Sequence, residues 1–288
     1  MAGIKIVTDS SACLSREYCQ EHDIAVMQLS YTFEGETAQE GTPEDWDTFY
    51  ERFAASEDFP KTSQAGMHMF LHAFEQALGA EGYDSVVCMT ITSGVSGTYH
   101  AAQTAAGMVD PERIHVINSK GGGSSLKMLV LDTVERIGQG MDEQQVVELA
   151  QQDVAQLRYQ FTPGSLEYLR RGGRISATAA ALGTLLDLKP ILTETLEGKL
   201  AAAGKVRGRR KAMSYILEKA VENVADQKEA MGIILHADAM DDAQKLRQML
   251  VEKLPEMDIR IYPVGPVIGT HAGPGTIAFC FLGKKREI

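Results

Sequence analysis

Long apolar runs are missing from this 288-residue chain. No stretch reaches the ~18 uninterrupted apolar residues that cross a bilayer, so no stable membrane insertion is expected. Cysteine is scarce: Cys13, Cys19, Cys88 and Cys280 show no paired spacing. That argues for a reducing compartment and against a disulfide framework. Positive charge is in deficit, with 28 Lys and Arg against 39 Asp and Glu and a formal net charge of −11. A chain this acidic is repelled by nucleic acid unless a local basic patch prevails. No basic-then-apolar leader precedes the strand-like Ile4–Val7, so a cytoplasmic protein is expected.

Complete catalytic and metal-binding motifs are also missing. Gly198–Lys205 is no phosphate-binding loop, because Gly204 comes one position late and Val206 follows the lysine. Gly94-Val95-Ser96-Gly97 has its second glycine one place early for a nucleophile elbow. His68 and His72 are spaced for one helix face, but Met69 stands where a zinc protease carries glutamate. No metal site and no cofactor are expected.

What is present is a strand–helix rhythm. Short apolar runs at Ile4–Val7, Val86–Ile91 and Ile114–Ile117 each lead into a polar or glycine loop and a helical pattern. Thr42-Pro43-Glu44-Asp45 reads as a helix start, and Asp142 with Gln145 as a capping box opening a helix to about Leu157. This alternation predicts βαβ units and a parallel sheet. After about residue 160 the pattern changes to a hairpin (Pro190–Thr195 and Leu200–Val206) and a helix over Arg210–Val224. A strand at Gly232–Leu235, a helix over Asp241–Lys253 and strands at Ile259–Val264 and Ile277–Leu282 follow. The expectation is an α/β chain of two domains: 1–160 with a parallel sheet, and 161–288 with a mixed sheet and helices on one face.

In a parallel sheet, ligands bind at the carboxyl ends of the strands. Three loops there are rich in hydroxyls and glycine: Thr8–Ser11, Thr92–Thr98 and Ser119–Ser125. They read equally as an anion site and as ordinary turns and helix caps. Thr62-Ser63-Gln64, by itself, reads as a helix cap. The glycine- and proline-dense Gly265–Thr276 encloses His271, a candidate hydrogen-bond donor or proton shuttle or else a turn-capping histidine. Ala177–Leu192 reads as core, with small residues that would leave room for an apolar ligand. The basic patch is Arg170, Arg171 and Arg174 with Lys205, Arg207, Arg209, Arg210 and Lys211. It suits phosphate or an acidic partner surface as well as plain solvation. No aromatic interleaving accompanies it, so no nucleic-acid partner is expected.

Taken in order, these segments resemble the DegV family of bacterial fatty-acid-binding proteins across essentially the whole chain. The resemblance rests on Val7–Ser11, Thr62-Ser63-Gln64, Thr92–Tyr99, Leu169–Ser176, Lys189–Leu192, Lys205-Val206-Arg207, Gly265-Pro266-Val267 and His271–Gly275. It implies a long-chain fatty acid of the palmitate, stearate or oleate class, with its tail in an apolar tunnel contributed by the C-terminal domain. It implies a carboxylate at the domain junction held by hydroxyls that map onto Thr62 and Ser93, with His271 close by and Ser63 and Ser96 in the same two loops. It implies a carrier, not a catalyst, that presents the carboxylate to a separate ATP-dependent fatty acid kinase, which makes an acyl-phosphate. Arg174 and Arg207 would face that kinase or its phosphate. The chain departs from the family pattern at Ala65-Gly66, Thr92 and Asn118, and the last puts any charge on that loop in question. The rival readings are a small-molecule phosphotransferase subunit or an acyl hydrolase using Ser93 or Ser96, and an interaction module working through the arginines.

Overall fold

A computed structural model describes residues 3–46, 48–175, 188–228 and 230–286. Strands β1 (Ile4–Asp9), β2 (Ala25–Met27), β6 (Ser85–Thr90) and β7 (Ile114–Asn118) form a parallel sheet in the order β2-β1-β6-β7. β1 and β6 are buried along their whole length, the pattern of a sheet covered on both faces. Between them the chain makes a small antiparallel sheet, β4-β3-β5, from β3 (Ser30–Phe33), β4 (Glu36–Gln39) and β5 (Lys61–Ser63).

The rest of the chain supplies a six-stranded sheet in the order β10-β9-β8-β13-β11-β12. Its strands are β8 (Leu157–Thr162), β9 (Leu188–Glu194), β10 (Leu200–Arg207), β11 (Met231–Ala237), β12 (Asp258–Pro263) and β13 (Thr276–Leu282). Only β11 and β12 run parallel; the other pairs are antiparallel. The chain is thus an α/β protein with one parallel and one mixed sheet.

Side chains alternate across the mixed sheet as strand geometry requires. Ile234, Ile277, Phe279 and Phe281 point to one face and pack with Met213, Ile216, Leu246 and Leu250 of helices Arg209–Asn223 and Met240–Lys253. Ile233, Leu235, Ala278 and Cys280 point to the other, into the core that contains Leu126, Leu129 and Val130 of helix Ser124–Gly138. That helix also packs against Ile6, Val87 and Met89 of the parallel sheet. The opposite face of the parallel sheet buries Val7, Val86 and Cys88 under Phe70, Phe74, Ala102 and Ala105 of helices Met67–Leu78 and Thr98–Val109. Helix Ser124–Gly138 is therefore a layer shared by both sheets. Truncating Leu129 to alanine removes a wholly buried side chain there, a change that typically costs about 2–5 kcal/mol.

Three expectations need correction. The mixed sheet has helices on both faces, not one: helices Arg209–Asn223 and Met240–Lys253 cover the first, and helix Ser124–Gly138, shared with the parallel sheet, covers the second. Thr62-Ser63 is not a helix cap: it lies in β5, and helix Met67–Leu78 starts at Gly66 with no side-chain cap. Thr42–Asp45 does form a capping box, but on a single 3-10 turn, with the helix beginning at Phe49. Of the apolar stretch Ala177–Leu192, residues 177–187 lie outside the described residues; its end opens β9.

Candidate functional site

A cavity of about 640 Å³ opens between the parallel sheet, the small antiparallel sheet and the inner face of the mixed sheet. Much of its wall is aliphatic, including Leu29, Ile91, Leu200, Leu235, Val267 and Ile268. Thr62, Ser63, Gln64, Ser96, Arg174 and His271 add polar groups. Contacts tie Thr62 to His271, and Gly172 packs against His271 while accepting from Arg174.

His271 sits in the last turn of helix Pro266–Ala272, which Pro266 opens. Its Nε2 lies 2.8 Å from Thr62 Oγ1. Burial, and then the nearby Arg174 charge, push the imidazole down to about 3, so it is neutral at physiological pH. Nδ1 is buried with no hydrogen-bond partner among the described residues. A proton there would be an orphan donor, which is costly; the proton therefore belongs on Nε2, donating to Thr62. Thr62 then accepts from the imidazole and keeps its own hydrogen to donate into the cavity. Gly172 makes this packing possible: a β-carbon there would come within 2.0 Å of His271 Nδ1.

Ser93 is half-buried and is not part of the cavity lining, although its neighbour Thr92 is. Its Oγ accepts from Asn118 Nδ2 at 2.7 Å, so its hydrogen is also free to donate. Ser96 Oγ pairs with Thr98 Oγ1 at 2.9 Å. Gln64 packs against Gly97, where a β-carbon would lie 2.0 Å from its Oε1. Arg174 Nη1 donates to Gly172 O at 2.6 Å and Nε to Val95 O at 3.3 Å. No carboxylate among the described residues pairs with it. Arg170 and Arg171 both pair with Glu167, and Arg209 with Asp242. Arg207 is exposed near the end of β10, away from the cavity.

Three buried carboxyls, unanticipated from sequence, hold the lining in place. Asp9 accepts from Ile91 N at 2.7 Å, Glu40 from Val267 N at 2.9 Å, and Glu194 from Gly122 N at 3.0 Å. Each of these N–H donors belongs to a lining residue. Burial pushes Asp9 up to about 6, and Glu40 and Glu194 up to about 7. Glu194 was detectable only as an acid ending the apolar run Pro190–Thr193. Among the described residues, no group of His, Cys, Asp or Glu is arranged to hold a metal ion, and no helix is long and apolar enough to cross a membrane.

The model of the DegV family, described as an uncharacterised protein family, matches residues 3–284. The chain belongs to the DegV family. A DegV domain-containing protein of Halalkalibacterium halodurans is 33% identical over 99% of this chain and 100% of its own length. The fatty acid binding DegV family protein of Streptococcus agalactiae superposes with a TM-score of 0.88 at 30% identity, over 99% of this chain and 100% of that one. A stearic acid-binding protein of Eubacterium ventriosum superposes with a TM-score of 0.84 at 28% identity, over 98% of each chain. Both DegV-like structures share this fold and are described by the acyl ligand they bind.

Proposed function

We propose that this chain is a carrier for one long-chain fatty acid. The observation that carries the reading is an aliphatic cavity of about 640 Å³ with one hydroxyl, imidazole and guanidinium cluster. Burial of the tail contributes roughly 0.8 kcal/mol per methylene. The carboxylate then needs hydrogen bonds, because burying it unpaired is costly. Thr62 donates to it, oriented by neutral His271; Ser63, next to it in β5, and Ser93 and Ser96 of the Thr92–Thr98 loop are the further hydroxyls. Arg174 offers positive charge without a competing carboxylate. The similar structures described as a fatty acid binding DegV family protein and a stearic acid-binding protein support this reading.

We further propose that the carrier presents the carboxylate to a separate ATP-dependent fatty acid kinase in the cytoplasm and has no catalytic activity of its own. Arg174 would meet the transferred phosphate, and exposed Arg207 the kinase surface. The expected division after residue 160 would cut through β8 (Leu157–Thr162), a strand of the mixed sheet; we propose a division on the N-terminal side of that strand instead.

Native mass spectrometry of the purified protein, followed by organic extraction, tests the carrier. A bound fatty acid, or stoichiometric uptake of added palmitate or oleate, is expected. Protein that carries no lipid and takes up neither ligand would overturn the reading.

A further inference from the structure

We infer that the cavity selects an acyl chain bearing a mid-chain hydroxyl, recognised by Tyr159 and Glu194. The inference rests on the carrier reading above and specifies its substrate class. The inner face of the mixed sheet forms one wall of the cavity, and its side chains stand in rows across the strands. One row is apolar: β8 and β13 place Phe161 opposite Ala278, β8 and β9 place it opposite Leu192, and β11 adds Leu235 opposite Ala278. The next row is different. Tyr159 stands opposite Cys280, and Leu200 opposite Glu194. The β8–β9 register, Gln160 with Thr193, brings Tyr159 beside Glu194. Tyr159, Glu194 and Leu200 all line the cavity.

The polar row lies away from the head-group cluster. His271 precedes Thr276, where β13 begins, and Cys280 is four residues further along the strand. At strand rise this is about 14 Å beyond the first residue of β13. A carboxylate held at Thr62 and His271 therefore has its own hydrogen-bond partners, and the Tyr159 row faces a later part of the chain.

Both polar groups retain bonding capacity. No hydrogen bond is made by the Tyr159 hydroxyl among the described residues. Glu194 receives one bond at each carboxyl oxygen, from Gly122 N and Ser125 Oγ, which leaves each oxygen a further lone pair. Facing plain methylenes, the phenol would be buried without a partner, a cost that an aliphatic wall avoids. A secondary alcohol on the chain resolves this: it accepts from Tyr159 and donates to Glu194. Sites that pair a buried polar group with a substrate hydroxyl discriminate against the analogue lacking it.

Dissociation constants for stearate and a positional series of mid-chain hydroxystearates, measured on the wild type and Tyr159→Phe, test the inference. One hydroxystearate should bind the wild type at least as tightly as stearate. Tyr159→Phe should weaken that ligand about tenfold, the scale of one good hydrogen bond, while stearate affinity is maintained or improved. The inference is overturned if every hydroxystearate binds the wild type more weakly than stearate. It is equally overturned if Tyr159→Phe shifts stearate and the hydroxystearates by the same factor. Stearate binding alone leaves the carrier standing without this specificity, whereas a protein that binds neither class loses both readings.

Discussion

The hydroxyl-rich loops at the ends of the parallel strands and the Thr62–His271 pair differ in where their hydrogen bonds go. In the loops, most polar groups are committed internally. Ser10 donates to Glu40, Ser119 to Gly121 O, Ser125 to Glu194, and Thr92 to Gly198 O. Ser10, Ser11, Ser119, Ser124 and Ser125 are buried. Thr62 Oγ1, by contrast, has one hydrogen-bond partner among the described residues, the side chain of a residue 209 positions away, and with the imidazole proton on Nε2 its own hydrogen is left for the cavity it lines. Density of Ser, Thr and Gly therefore marks framework here, and the hydroxyl beside His271 in the cavity lining comes from a stretch that locally resembles a helix cap.

The largest effect that sharpens this contrast is on stability. Asp9→Ala removes the acceptor of Ile91 N and of the Ser11 backbone and hydroxyl. Stranding buried donors should lower unfolding free energy by about 3 kcal/mol in urea denaturation. A loss below about 0.5 kcal/mol would break the framework assignment, being no more than a neutral surface change.

Glu40 gives a pH signature of comparable size. Its carboxyl titrates near 7 when folded against 4.5 when free. As pH rises, the unfolded chain releases this proton first, so the group's stabilising contribution is full below about 4.5 and lost through about 7. A shift of this size corresponds to roughly 3 kcal/mol. Glu40→Gln should flatten that part of the stability–pH curve relative to the wild type. An unchanged slope between the two proteins would mean that Glu40 does not carry it.

Substitutions on the other side of the comparison act on binding. Thr62→Val should weaken fatty-acid affinity by about 1–2 kcal/mol with little change in melting temperature. Ser93→Ala should cost less, about 0.5–1 kcal/mol, because Ser93 lies outside the lining and Asn118 already holds its oxygen. Calorimetric titration with palmitate reads both, and a reversed order would move the head group to the Thr92–Thr98 loop. The smallest expected effect is Arg207→Ala: no change in lipid affinity, with slower kinase-dependent acyl-phosphate formation. Unaltered phosphorylation kinetics would remove Arg207 from the partner surface.

Local pattern carried much of the fold. The strands at Ile4, Val86, Ile114, Gly232 and Ile277, the hairpin around Gly198, and the Asp142–Gln145 capping box lie within a few residues of where periodicity and cap chemistry put them. The β3-β4-β5 sheet was missed because its strands are three or four residues long, too short for alternation to register. β8 was missed because Leu157–Thr162 follows a helix without a break.

The site was legible only as separate pieces. The hydroxyl loops, the glycines around His271 and the family motifs are all written in the chain, because turn chemistry and backbone freedom are properties of neighbouring residues. Which hydroxyl is spent and which is offered depends on contacts such as Thr62 with His271 and Glu40 with Val267, 209 and 227 positions apart. Packing two sheets against one shared helix brings those residues together. The same packing buries Asp9, Glu40 and Glu194, and that desolvation, absent from any local window, sets their titration and leaves Thr62 facing the cavity.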